Sequence, residues 1–127
     1  MKINNLSVSS LNKKNVPSSK SEGWKYYEWC FSVRNEETKR TANFSVYGGS
    51  AVKHMYTSEA FYIILREAVD YINVNDIGEF MEEFGYSYKE AKKIYDKLER
   101  NYTKCIRVLG SEEEIFKYYD ELTEVYN

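Results

Sequence analysis

An alternation of apolar and polar side chains runs through residues 24–34. Tyr27, Trp29, Phe31 and Val33 take the odd positions, with Glu28, Ser32 and Arg34 among the even ones. A period of two puts one set on a buried face of a strand and the other on a wetted face. Residues 35–40 are all polar and read as a turn. Alternation then resumes over residues 41–47, with Ala42, Phe44 and Val46 inward and Asn43 and Ser45 outward. The two segments predict an antiparallel hairpin. Upstream, residues 1–23 are rich in Ser, Asn and Lys and contain the only proline, Pro17. They read as a partly mobile lead-in, within which residues 3–8 can add an edge strand to make a three-stranded meander.

After Gly48 and Gly49 the pattern becomes helical. Phe61, Ile64, Leu65, Ala68 and Ile72 share one stripe, on a helix that Thr57 or Ser58 can cap. Asp76 with Glu79 forms a capping pair for a short helix carrying Ile77, Phe80, Met81 and Phe84, and Gly85 stops it. Ser87 and Glu90 form a capping box for the longest helix. Along that helix Tyr88, Ala91, Tyr95, Leu98, Tyr102, Cys105 and Leu109 recur at spacings of three and four, a heptad seam. Gly110 ends it, and Ser111 with Glu114 opens a last helix bearing Ile115, Phe116, Tyr119, Leu122 and Tyr126. The last helix is expected to fold back along the seam as a long C-terminal helical hairpin.

Strands first and helices afterwards define the α+β class: an N-terminal antiparallel β-hairpin or three-stranded meander followed by about four α-helices packed on one sheet face. Residues 24–127 form the single α+β domain of this reading. The seam fits a monomer, with the last helix on it, or a homodimer.

Composition narrows the chemistry. A chain of 127 residues can build a core without disulfides or metals. One histidine, His54, and two separated cysteines, Cys30 and Cys105, cannot supply a structural zinc set, so no metal or cofactor is expected. Cys30 and His54 are the minimum for a nucleophilic couple, against the plainer reading of a loop histidine and an inert cysteine; no catalytic residue is assigned. Gly48, Gly49 and Ser50 lack the Lys-Ser/Thr of a phosphate-binding loop. The Lys near the N-terminus is not followed by the apolar stretch of a signal peptide, and no window is apolar enough for a membrane span, so a cytoplasmic protein is expected.

A formal charge of −2 excludes coating of nucleic acid through bulk charge. The charge is nevertheless segregated. Residues 57–86 hold one Arg against seven Asp and Glu, and residues 88–109 hold seven Lys and Arg against three. On the long helix Lys93, Lys97, Arg100, Lys104 and Arg107 fall away from the seam, as a phosphate-tracking face would. Aromatic residues are abundant, with 13 Tyr, 6 Phe and 2 Trp. On the hairpin's wet face Trp24, Tyr26 and Tyr47 make a candidate patch for anchoring a protein or stacking bases.

The block from Glu79 to Ser87 (Glu-Phe-Met-Glu-Glu-Phe-Gly-Tyr-Ser), followed by Ala91, Tyr95 and Leu98 and preceded by the aromatic hairpin and the loop from Tyr47 to Lys53, resembles a set of small phage- and prophage-encoded proteins. The resemblance covers residues 24–110. It implies a non-enzymatic protein working in the cytoplasm of an infected bacterial host. The implied activity is inhibition of a bacterial defence or host complex, in the manner of anti-CRISPR proteins, by steric and charge complementarity. Carboxylates placed where phosphates would bind, at Glu79, Glu82, Glu83, Glu112, Glu113, Asp120 and Glu121, would serve that end. The alternative is a nucleic-acid-binding accessory protein using the basic face of helix 88–109.

Overall fold

The computed structural model describes residues 2–17, 25–49, 52 and 54–126, and the side chains of these except at positions 2, 14–17, 25 and 26. It is an α+β fold. Four strands, β1 (Lys2–Ile3), β2 (Leu6–Pro17), β3 (Lys25–Asn35) and β4 (Thr41–Gly48), form an antiparallel sheet in sequence order. Four helices follow: α1 (Thr57–Asn73), α2 (Ile77–Phe84), α3 (Tyr88–Leu109) and α4 (Glu112–Tyr126). Among the described residues no helix is long and apolar enough to cross a membrane.

The β3–β4 hairpin has the expected faces. Trp29, Phe31, Val33, Ala42, Phe44 and Val46 are buried beneath the helices, Tyr27 is half-buried, and Thr41, Asn43, Ser45 and Tyr47 lie on the other parity. Asn35 shapes the turn. Its side-chain oxygen accepts from the Glu37 and Thr38 amides, and its Nδ2 donates to the Val108 carbonyl at 2.9 Å, tying the hairpin to the end of α3.

The N-terminal segment differs from expectation. In place of a short edge strand over residues 3–8, β2 runs twelve residues and pairs with β3 along its whole length. Only Leu6 and Val8 announce it by alternation; beyond them polar residues mask the pattern, and the register shifts between Ser10 and Asn12, leaving Leu11 exposed. After that shift Lys13 lies on the helix-side parity, with its ammonium 3.8 Å from the centre of the Trp29 ring, while Trp29 Nε1 donates to Ser10 Oγ at 2.8 Å.

Helix ends follow the sequence except at α1. Neither Thr57 nor Ser58 caps it: Tyr56 occupies the cap position without a side-chain bond, and the Ser58 hydroxyl is buried against the Tyr126 hydroxyl. Asp76 and Ser87 cap α2 and α3 as predicted, at 2.8 and 3.4 Å from the Glu79 and Glu90 amides. Gly110 has φ +101°, a left-handed conformation that turns the chain sharply between α3 and α4. A side chain on Gly48 would meet Val52 Cγ2 at 2.7 Å, so the glycine lets buried Val52 close the bottom of the sheet.

The expected helical hairpin is replaced by a three-helix arrangement centred on α1. Both α3 and α4 pack chiefly against α1, and only lightly on each other. Tyr62 of α1 stacks on Tyr119 of α4 with ring centres 5.5 Å apart, whereas Tyr71 meets Tyr95 and Tyr102 of the α3 seam at 5.4 and 4.8 Å. The physical reason is the width of the apolar arc on α1. Phe61, Ile64, Leu65 and Ala68 face the core as predicted, but Tyr62 and Val69 are buried too, so the helix accepts a neighbour on each side. Phe80, Ala91 and Leu98, joined by Ile77, Met81 and Tyr95, form a second apolar cluster between α2 and α3.

Cys105, at 1% exposure, lies where α3 meets the core. Burial, with a smaller contribution from Glu67, pushes its thiol up from 9 to about 12. Between those values the unfolded chain releases the thiol proton while the folded chain keeps it, so stability is complete below pH 9 and is lost as pH rises. The expected loss from this group grows with each pH unit above 9 and is on the order of a few kcal/mol by the upper end of that window. Urea midpoints measured from pH 8 to 11.5 should fall, and fall less steeply in Cys105→Ala; parallel curves for the two proteins would show that this thiol is not responsible.

Candidate functional site

The α3 cations are gathered by helical geometry. At 100° per residue, Lys93, Lys97, Arg100, Lys104 and Arg107 lie within an arc of about 80° and span about 21 Å along the axis. The far side of α3 is anchored by buried Ala91, Leu98, Cys105 and Leu109, which fixes the direction of the stripe. It borders β4, the edge strand of the sheet.

Lys104 makes the connection to that edge. Its ammonium donates to the Asn43 carbonyl at 2.8 Å. The backbone of Asn43 therefore points away from β3 and toward α3, and by antiparallel alternation Thr41, Ser45 and Tyr47 present their backbone groups on the same side. A furrow follows between strand and helix, in three cavities. One of about 280 Å³ is lined by Ser45, Tyr47, Lys97, Arg100, Asn101 and Lys104. A second, of about 310 Å³, lies among Thr41, Ala42, Asn43, Lys104 and Arg107. The third, of about 430 Å³, continues past the strand between Tyr86, Glu90, Lys93, Ile94 and Lys97. The first two recesses share Lys104 and the first and third share Lys97, so the five predicted cations line three neighbouring recesses along α3, of which the first two lie against β4.

Two details were not legible beforehand. Glu67 of α1 reaches Lys97 at 3.2 Å and accepts from Asn101 Nδ2, so one carboxylate sits behind the groove and offsets part of its charge. Asn101, 7% exposed beside the seam, was the available signal, because a buried amide requires a polar partner. The second is the position of Tyr47: predicted for the aromatic patch, it is 56% exposed and lines the first recess together with Arg100. Partial burial first, then the Glu28 carboxylate that accepts from its hydroxyl, raise the phenol above its ordinary value.

The other predicted residues are not brought together. Trp24 and the side chain of Tyr26 lie outside the described residues, which leaves Tyr47 of the aromatic patch. The seven carboxylates divide between α2 and α4, and several are engaged. Glu79 belongs to the N-terminus of α2, accepting from the Asn75 amide at 3.4 Å. Glu112 accepts from the Tyr102 hydroxyl at 2.7 Å, the main cause that pushes that phenol up to about 12. Glu121 accepts from Asn4 Nδ2 at 3.1 Å. Glu82, Glu83, Glu113 and Asp120 are exposed.

Cys30 lies on the outer face of β3, donating to Glu28 at 3.3 Å and standing 3.4 Å from the Ser45 hydroxyl; His54 is exposed in the loop before α1. Among the described residues no group of three His, Cys, Asp or Glu could hold a metal ion.

Fold and site together define an α+β protein with helices on one sheet face and a cationic groove at the sheet edge. No family model, curated protein or solved structure matches the chain.

Proposed function

We propose that this chain is a binding protein whose working surface is the groove between α3 and β4, and that the groove takes the phosphate backbone of a nucleic acid. One observation carries the reading: Lys93, Lys97, Arg100, Lys104 and Arg107 line three neighbouring recesses along one side of α3, in a protein whose net charge is −2. A like-charged row costs self-repulsion, and an anionic polymer relieves it along the full length of the row. The acidic residues have no comparable convergence.

Binding to labelled oligonucleotides, measured across 50 to 300 mM salt, tests it. If the five cations all meet phosphates, log affinity should fall against log salt with a slope of about −3.5 to −4.5, because each contact releases about 0.7 to 0.9 of a counterion. Absent or salt-independent binding would dismiss the reading.

A second reading is the one implied by the resemblance to phage proteins: a phage-derived inhibitor that covers a cationic site of a bacterial defence or host complex. Glu113, Asp120 and the neighbouring Glu124 are exposed on the outer side of α4, away from buried Ile115, Tyr118 and Leu122, and they favour it. A pull-down from bacterial lysate separates the two readings. A stoichiometric protein partner that survives nuclease supports inhibition, and partners that vanish with nuclease support the groove.

A further inference from the structure

The groove has a shape as well as a charge, and the shape discriminates between nucleic-acid forms. A recognition helix that reads duplex DNA must stand clear of its own protein to enter a major groove about 12 Å wide. The cationic side of α3 does not stand clear. It faces β4, with Lys104 bonded to the Asn43 carbonyl, and its charges line recesses of about 280 to 430 Å³. A duplex could touch only the rim of such a furrow, whereas one strand can lie within it.

The furrow also contains a flat, exposed ring. Tyr47 lines the same recess as Lys97, Arg100 and Lys104, and Glu28 is its cross-strand partner on β3. An aromatic face placed among phosphate-binding cations is what a stacked base requires, and stacking tolerates any base because each presents a π-face. Tyrosine suits the position, since few rotamers are lost when a base settles on it.

We propose that the groove binds single-stranded nucleic acid, with a base stacked on Tyr47, the adjoining phosphate held by Arg100, and phosphates further along the strand held by Lys93 and Arg107. This rests on the nucleic-acid reading above and names the form of polymer it concerns.

The test compares a fluorescent 12-nucleotide single strand, as DNA and as RNA, with the corresponding 12-base-pair duplex, using the full chain and two variants. Single strands should bind at least ten-fold tighter than duplex. Tyr47→Leu should weaken single-strand binding by about ten- to a hundred-fold, the range expected for one stacked base, and leave the salt slope unchanged. Tyr47→Phe, which keeps the ring and loses the Glu28 bond, should stay within about three-fold of the parent. Unchanged thermal unfolding of Tyr47→Leu would show that the loss is not one of folding. Equal or tighter duplex binding, or a Tyr47→Leu variant that binds single strands normally, overturns the stacking proposal while the phosphate reading stands. No binding to any of the three probes overturns both.

Discussion

Phe44→Ala is expected to destabilise the protein by about 3–5 kcal/mol, the range for removing a fully enclosed aromatic ring. Phe44 is 2% exposed and joins the two layers of the fold. Its ring lies 5.7 Å from Phe31 in the sheet and 6.3 Å from Phe61 on α1, and the Lys104 ammonium stands 5.8 Å from its face. Truncation opens a cavity between sheet and helices, and the rigid strand beneath it cannot collapse to fill the space. Against the 5–15 kcal/mol by which domains of this kind are stable, the loss is a large fraction, and the melting temperature should fall by about 10–20 °C. Thermal unfolding followed by circular dichroism measures it. A fall of only two or three degrees would mean that the helical layer does not rest on this sheet face.

Where the sequence read the fold correctly, the local and tertiary demands agreed. The alternation at Trp29, Phe31 and Val33 was legible because those side chains meet helices on one face and polar surroundings on the other. Asp76, Ser87, Gly85 and Gly110 marked helix ends because cap and left-handed positions impose their own chemistry. The misreadings have the opposite cause. Strand β2 beyond Val8 is held by backbone pairing with β3, and backbone hydrogen bonds leave no trace in side-chain pattern. The α3 seam was real, but a heptad pattern specifies only that a partner exists, and α1 took the place assigned to α4.

The candidate site divides in the same way. The five cations were visible from helical spacing, because α3 is regular and its apolar seam fixes which side faces out. What they face was not visible. The closeness of Asn43, Ser45 and Tyr47 to Lys104 and Arg100 depends on which edge of the sheet α3 covers, a relation between residues more than fifty positions apart. The acidic residues show the converse error. Sequence proximity suggested common faces, but Glu79, Glu112 and Glu121 are occupied by the ends and junctions of the fold itself. A charge is available to a partner only after the fold has used what it needs.

That principle selects the variant with the largest expected effect on binding. Lys97 is paired with Glu67 and Lys104 with the Asn43 carbonyl, so replacing either would disturb the fold as well as the groove. Lys93, Arg100 and Arg107 line the groove on exposed turns of α3. Changing these three to Gln removes three phosphate contacts, and the salt slope for a single strand should drop by about 2, which at 0.1 M salt is about a hundred-fold in affinity. The difference should shrink as salt rises, because the missing contacts act through counterion release. A matched variant, with Lys39, Lys92 and Lys117 changed to Gln, makes the same alteration in net charge on surfaces outside the groove. It should lose less than about five-fold if position governs binding. Equal losses in the two variants would show that net charge, and not the furrow beside β4, attracts the polymer, and the groove would then lose its claim to be the binding site.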